Sequence, residues 1–381
     1  MDLLEKIPPS YLKKLQIIKE FLSPYTKRVY LVGGCVRDLV MGMDVKDFDI
    51  EIFDIEPKLF DSLMKKLGAK GVGKSFFVYK YDVFDLALAR RERKVSVGHR
   101  GFEVTLCKDE KEASKRRDFT MNALMINLFT KELLDLWGGL KDIEQKKIRI
   151  IDEERFKEDS LRVLRAVQFS SRLGFRIDKY SCEVMREIEL DDLSKERVFW
   201  EFEKMFLSSW LHFGLYYLSA LGVLKKLFDI ELSKEIFFKT AFELQKNRDK
   251  FEKEYYRYCF LYILSKNLSI KFDKIARILN SPLIYIKMLE KQVDIPKVAD
   301  ERFLLMLSLR YPIKEWLGNY TDDVKKRAKE LGIYDKKFDG GIKAVDLMKE
   351  GFSGKELGME IERRKKMMIE RMIDEQVYSK D

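Results

Sequence analysis

The sequence predicts an α+β protein, with an α/β part at the N-terminus and an all-helical remainder. Two observations carry this. Short strand-like runs crowd the first third of the chain: Val29–Val32, Phe48–Phe53, Phe76–Tyr81, Val83–Leu88 and Phe102–Leu106. Beyond about residue 150 such runs fade. Stretches such as Phe242–Lys266 and Asp322–Leu331 then space apolar residues at helical intervals, with Lys and Glu between them. The first element in chain order is a short amphipathic helix over residues 10–22, SYLKKLQIIKEFL. Strand and helix patterns alternate after it, as an α/β layer requires. In the helical part prolines thin out to short breaks at Pro282, Pro296 and Pro312.

Composition narrows the function classes. The chain has 381 residues, enough for two to four domains. Charged residues make up 36%, and the net charge is +10. That balance favours an acidic partner, nucleic acid first; a Lys/Glu-rich solvated surface would look the same. Cys35, Cys107, Cys182 and Cys259 form no CxxC pair, and their spacing suits neither a zinc site nor a disulfide framework. With His99 and His212 as the only histidines, a His-rich metal site is excluded. The N-terminal stretch MDLLEKIPPSYLKK lacks a signal-peptide apolar core. No apolar run approaches the ~18 residues of a membrane span. The expectation is a cytoplasmic protein, with no membrane association and no protein partner evident.

Two constellations carry chemistry. Residues 29–38, VYLVGGCVRD, read as a strand ending at Gly33-Gly34 and a helix with Arg37 in its first turns. Glycines let the backbone approach a ligand, and their N–H groups can point at a phosphate. Next comes KDFDIEIF. In a strand, Asp47, Asp49 and Glu51 share one face, with Phe48, Ile50 and Ile52 on the other. Carboxylates at i and i+2 can hold two Mg²⁺ ions about 4 Å apart. The bland alternative is an edge strand with a solvated acidic face.

At this point LVGGCVRDLVMGMDVKDFDIEIF resembles the signature of class II tRNA nucleotidyltransferases and bacterial poly(A) polymerases, within the polymerase-β-like superfamily. The resemblance implies an N-terminal nucleotidyltransferase head (1–150) with a small mixed sheet. An elongated all-α neck (151–215), body (216–335) and tail (336–381) would follow. It implies Asp47 and Asp49 as ligands of two Mg²⁺ ions, and Gly33, Gly34 and Arg37 as triphosphate contacts. The superfamily's third carboxylate is assigned to Asp85 in VFDLALAR, the alternative being a structural partner for Arg90 or Arg91. In RRDFTMNAL, Arg117 would reach the triphosphate and Asp118 a ribose hydroxyl, while Asn122 supports the turn.

Residues 158–169, EDSLRVLRAVQF, put Asp159 and Arg162 at i and i+3 on a helix, with Arg165 one turn later. By itself this is a surface ion pair worth a few tenths of a kcal/mol. It also has a reading logic. Cytosine and adenine each offer an amino donor beside a ring-nitrogen acceptor, while uracil and guanine offer the reverse. A carboxylate with a guanidinium can therefore accept C and A and reject U and G. The family's EDxxR motif has this role, carried here to Asp159 and Arg162, with Arg165 as a phosphate contact. Gln168 departs from the arginine that many relatives carry. Glu196, Arg197 and Glu201 in KERVFWEFEKM are read as structural.

The segment GGIKAVDLMKEGFSGKELGMEIERR (340–364) resembles the family's tRNA-binding tail. Helix starts after Gly351 and Gly354, together with Lys343, Lys355, Arg363 and Arg364, would meet phosphates of the acceptor–TΨC arm. The segment LALARRERKVSVGHRGFEVTL, with Arg90–Lys94 charged and Gly98 and Gly101 as hinges, reads either as a flexible loop or as a solvated hairpin. A complete loop of this kind implies that ATP is a substrate beside CTP. The implied activity is CCA addition to tRNA. The alternatives are A addition to tRNA ending in CC, poly(A) synthesis, or a non-catalytic RNA-binding protein on the same fold.

Overall fold

The computed structural model describes residues 3–73, 78–94 and 102–378. The chain forms two compact units. One comprises Met1–Met205 with Tyr216–Asp229, the other Phe206–Leu215 with Ile230–Asp381. The first unit thus holds the sheet together with residues 151–205, most of the stretch expected as a neck over 151–215.

The first unit is built on strands Val29–Val32 (β1), Phe48–Ile52 (β2), Lys70–Gly73 (β3), Val78–Tyr81 (β4) and Phe84–Leu88 (β5). Arg90–Lys94 (β6), Phe102–Leu106 (β7), Met125–Asn127 (β8) and Leu133–Leu134 (β9) follow, with short β10 (Lys147–Ile148) and β11 (Arg176–Ile177). Seven of them form a mixed sheet in the order β3-β4-β5-β2-β1-β8-β9. Its parallel pair is β2–β5, with Asp49 opposite Asp85; β1 runs antiparallel to β2, with Val32 opposite Asp49.

The helices of this unit are Pro9–Leu22 (α1), Gly34–Met41 (α2), Pro57–Leu67 (α3), Glu110–Lys115 (α4), Gly139–Glu144 (α5), Glu153–Lys157 (α6), Leu161–Leu173 (α7) and Lys179–Arg186 (α8). Lys195–Phe206 (α9) follows them. Helix α1 starts with Pro at its first position, where the missing N–H costs nothing, and buries Leu15, Ile18 and Leu22 along one stripe.

Strand alternation decides which face becomes a site. Leu31, Ile50, Ile52, Leu86 and Leu88 join Ile18, Val36, Phe60 and Met64 in one core. The opposite positions on β1, Tyr30 and Val32, join Phe53, Ala89, Cys107 and Met125 in a smaller cluster. Asp49 and Glu51 alternate with Ile50 and Ile52, so they leave the main core on that second side.

The sequence reading missed β3, β6 and the short β8, β9, β10 and β11, and it read one helical stretch as longer than it is. β3 was not anticipated, because KGVG carries little strand propensity and is recruited by pairing with β4. Arg90–Lys94 forms β6, paired along its whole length with β7 from Arg90↔Leu106 to Lys94↔Phe102. The hairpin alternative describes these strands better than the flexible loop; Gly98 and Gly101 lie outside the described residues. The long helix expected over Phe242–Lys266 is broken.

The break lies in the second unit. Helix α10 (Leu211–Ala220) is divided between the units and α11 (Val223–Phe228) belongs to the first; the second unit then has α12 (Lys234–Asn247), α13 (Tyr256–Asn267), α14 (Lys274–Ile278) and α15 (Leu283–Glu290). After them come α16 (Glu301–Ser308), α17 (Asp322–Glu330), α18 (Ala344–Lys349) and α19 (Gly354–Tyr378). Between α12 and α13 the buried Arg248 donates to Ser208 O at 3.2 Å and Leu207 O at 3.0 Å, and packs 3.6 Å from the centre of the Tyr256 ring. The backbone then turns extended at Phe251 (φ −71, ψ 150) and Glu252 (φ −66, ψ 145), which ends the helical run before α13.

The unit's core gathers Leu304, Leu305, Ile313, Trp316, Ala328, Ile333 and Ile369. A Cβ at Gly318 would overlap the Trp316 indole, which is fully buried and bonded to Val293 O at 3.0 Å. Gly318→Ala is therefore expected to cost about 1–3 kcal/mol of stability. A urea midpoint equal to that of the parent would refute the packing argument. Among the described residues no helix is long and apolar enough to cross a membrane.

Candidate active site

The site grows from the end of β1. Gly33 adopts φ +78, a left-handed conformation that favours glycine, and caps α2. A Cβ there would lie 2.5 Å from Arg117 Nη1 and 3.7 Å from Asp49 Oδ2. The bare glycine is what lets the turn, the Arg117 guanidinium and the Asp49 carboxylate meet. One expectation is corrected: the Gly33 N–H donates to Leu124 O at 3.2 Å, so it is spent on the fold and does not point outward.

The acidic run divides by position. Asp47 stands before β2, exposed, rather than within the strand. Asp49 lies in β2, open to solvent, with Asp85 opposite it on β5. Glu51, two residues on, is buried and spent on arginines: it pairs with Arg116 and lies 3.4 Å from Arg117. Asp85 is 3.3 Å from Lys80 Nζ of β4, and its buried Oδ1 has no hydrogen-bond partner. The side chains of Arg90 and Arg91 are outside those described. Desolvation by the surrounding protein, with Asp85 and Glu51 adding repulsion, raises the Asp49 pKa above the ordinary carboxylate value against the pull of Arg117.

Arg37 also departs from expectation. Its side chain is 2% exposed, bonded to Asp38 through Nε at 2.8 Å and to Asn122 Oδ1 through Nη1 at 2.6 Å. It is a buried tie, with no free face for a triphosphate, because the first turn of α2 points it toward α7. Gly34, at the first position of α2, lies beside this guanidinium: a Cβ there would be 3.6 Å from Arg37 Nη2.

Asp118 is buried. One oxygen accepts from Phe119 N and Asn122 Nδ2, both at 2.8 Å, and the other from Arg165 Nε at 2.7 Å. Burial alone would raise its pKa, but Arg165 and Asn122 hold it below the ordinary value. Arg165, expected at a phosphate, is thus engaged with Asp118.

The base-reading pair is placed differently from a helical i, i+3 pair. Helix α7 begins at Leu161, so Asp159 precedes it. Its carboxylate is held across two oxygens by Arg197 Nη2 of α9, at 3.1 and 3.3 Å. Arg162, on α7, donates to Arg155 O at 2.5 Å and Arg116 O at 2.7 Å. Gln168 is buried on α7. Sequence reasoning missed Arg116, Asp38 and Arg172; the Arg116-Arg117 doublet and the Glu51 placed two residues after Asp49 were the available signals.

Residues 29–149 match the family described as the Poly A polymerase head domain. Residues 174–234 match one described as the probable RNA and SrmB-binding site of polymerase A. In its head, residues 29–149, this chain carries the poly(A) polymerase head family. The CCA-adding enzyme of Lactococcus lactis subsp. cremoris is 35% identical over 225 residues, 56% of this chain and 54% of that enzyme. The match thus spans about half the length of that relative. In fold, the chain is similar to the Bacillus stearothermophilus CCA-adding enzyme in complex with CTP, with a TM-score of 0.69 and 20% identity over 96% of this chain and 94% of that one. It is also similar to the Thermotoga maritima CCA-adding enzyme complexed with tRNA, with a TM-score of 0.64 and 21% identity over 98% and 97% of the two chains. At such identities the likeness is one of fold.

Nucleotidyltransferases of this family generally use divalent metals. Among the described residues, no group of three or more His, Cys, Asp or Glu side chains is arranged to enclose a metal by itself. The oxygen donors of Asp47, Asp49 and Asp85 suit Mg²⁺, which binds through one or two carboxylates and completes its shell with substrate phosphates; Asp85 Oδ1 faces Lys80 at 3.3 Å, so a metal there would compete with that ion pair.

In the second unit, Lys343 caps α18 and Lys355 lies in the first turn of α19, both exposed. Arg363 closes on Glu360 at 2.7 Å, and Arg364 on Glu360 at 2.8 Å and on Glu350. Lys366 pairs with Glu362 at 2.6 Å. The basic run is largely matched by acids one turn away. Gly351, with φ +101, follows the end of α18 and donates back to Met348 O at 3.1 Å, so one helix starts here, at Gly354, rather than two.

Proposed function

We propose that this protein adds nucleotides to the 3′ end of tRNA without a nucleic-acid template, completing CCA from CTP and ATP. The observation that carries the reading is the meeting of Asp49, Asp85, the Gly33 turn and Arg117 at one end of the central strands, in a head of this family. Asp47 and Asp49, with Asp85 as the third carboxylate, would hold two Mg²⁺ ions, whose chemistry is Lewis-acid stabilisation of the attacking and leaving oxygens. Arg117, beside the bare Gly33, offers its cation to the triphosphate. Asp118 would accept from a ribose hydroxyl, and its bonds to Arg165 and Asn122 fix where its buried carboxylate stands. Asp159, steadied by Arg197, and Arg162 read the Watson–Crick edge. Lys343 and Lys355 in the second unit contact the acceptor–TΨC arm, with Arg363 and Arg364 beside them. The relatives' complexes with CTP and with tRNA support this choice of substrates.

The test uses tRNAs ending at the discriminator base, at C and at CC, each offered one labelled nucleotide. CTP should enter on the first two and ATP on the third. Incorporation of CTP with no ATP on the CC-ending tRNA would reduce the activity to CC addition; ATP alone on that tRNA would make this an A-adding enzyme. Long A tracts without tRNA selectivity would favour poly(A) synthesis. Binding of tRNA without any incorporation would favour the non-catalytic reading.

Gly33→Ala is a sharper local test. A left-handed backbone costs a residue with a side chain roughly 1–2 kcal/mol, and the methyl group would push Arg117 off its place. Incorporation should fall about tenfold or more. Wild-type rates in this variant would remove Arg117 and the turn from the site.

A further inference from the structure

Helix α7 and the Gly33 turn are joined by a buried chain of alternating donors and acceptors. Arg37 of α2 donates to Asn122 Oδ1 at 2.6 Å, and Asn122 Nδ2 donates to Asp118 Oδ1 at 2.8 Å. Asp118 Oδ2 accepts from Arg165 of α7 at 2.7 Å. A second tie closes the ring: Asp38, bonded to Arg37, accepts from Arg172 of α7 at 3.0 Å. Arg37 and Arg165 also pack on the same Phe169 ring of α7, 4.9 and 5.3 Å from its centre.

Asn122 stands at the centre and is itself buried. A guanidinium can only donate, and an ionised carboxylate can only accept. The group between Arg37 and Asp118 must therefore accept at one end and donate at the other. Asparagine does this in one short side chain, and its two partners fix which way the amide points. An aspartate of the same shape would keep Arg37 and set a second carboxylate against Asp118. A leucine would leave both partners unmatched in a buried place.

We propose that Asn122 is a positioning residue that holds helix α7 and the Gly33 turn in one register, so that base choice depends on it. The inference rests on the proposed nucleotidyl transfer. If the triphosphate is gripped at the turn and the base is read from the start of α7, the distance between them decides which edge of the base meets Asp159 and Arg162. A loosened α7 lets a mismatched base find an alternative fit.

The experiment compares wild type, Asn122→Asp and Asn122→Leu with CTP, ATP, UTP and GTP on tRNAs ending at the discriminator base and at CC, reading kcat and KM separately. Arg172→Ala is included because its side chain is 39% exposed and loosens the second tie without emptying the interior. Misincorporation of UTP relative to CTP should rise about tenfold in the Asn122 variants, the scale of an unmatched buried polar group, and in the same direction but less in Arg172→Ala. KM for CTP should move less than the ratio. Equal slowing with all four nucleotides, at an unchanged ratio, would reduce Asn122 to a structural role and overturn the inference. Should the Asn122 variants fail to fold, an unchanged ratio in Arg172→Ala overturns it instead. A wild type that incorporates neither CTP nor ATP overturns the functional reading, and the role of Asn122 with it.

Discussion

Asp49→Asn should reduce nucleotide incorporation by at least 10²–10³-fold, the usual effect of removing a charge-stabilising group from a transition state, while tRNA affinity stays close to that of the parent. The substitution keeps the shape of the side chain and removes the charge that sits between Asp85 and Arg117. It removes a charge that desolvation, with repulsion from Asp85 and Glu51, disfavours and that Arg117 attracts. Asp47→Ala, at an exposed position before β2, should lose activity without any change in melting. If either variant stayed within about tenfold of wild type, a difference of only ~1.4 kcal/mol, the metal assignment would be wrong. Asp85→Asn is the comparison that decides the third carboxylate. A loss matching that of Asp49→Asn would make Asp85 part of the chemistry, and a small effect would leave it as the ion-pair partner of Lys80.

Asp159→Ala should blur base choice more than it lowers triphosphate affinity. A two-point hydrogen-bond reader is worth about 1–3 kcal/mol of discrimination in comparable base readout, so with one half gone UTP and GTP should enter up to about a hundredfold more readily relative to CTP and ATP. Arg197→Ala should act in the same direction more weakly, because it frees Asp159 to swing without removing it. The relative rates of the four nucleotides check both. Unchanged rejection of UTP and GTP in Asp159→Ala would place base reading elsewhere.

Much of this site could be read from the chain because its residues lie in short local patterns. The Gly33 turn, the Asp49 strand and the Arg117–Asp118 corner each fit within a few residues, and local pattern is what a sequence displays. The strand order was not accessible in the same way. That Asp85 stands beside Asp49 depends on a parallel pairing between strands more than 30 residues apart, which chain periodicity does not encode. Partner assignments failed for a related reason. Arg37, Arg165, Arg363 and Arg364 were all read as phosphate contacts because arginine beside a binding motif suggests an anion. In the folded chain each has a carboxylate at hand: Asp38, Asp118 or Glu360. Asp38 and Glu360 stand within four residues of Arg37, Arg363 and Arg364, so there the spacing held a clue; Asp118 lies 47 residues from Arg165, and only the fold brings them together. The break after Asn247 had no such clue, since Arg248 looks like any other helical surface cation until it turns inward.

The pairing of the tail arginines bears on how binding responds to ionic strength. A cation that already faces a carboxylate displaces few counterions when a phosphate arrives, since it exchanges one anion for another. The slope of log affinity against log salt reports released counterions, roughly 0.7–0.9 per phosphate neutralised. Arg363 and Arg364 therefore contribute less to that slope than two free cations would, and Lys343 and Lys355 contribute more. On the proposed function, a tail built this way would grip RNA by geometry at the cost of long-range pull, and its hold would persist into salt concentrations that strip a bare basic patch from its partner.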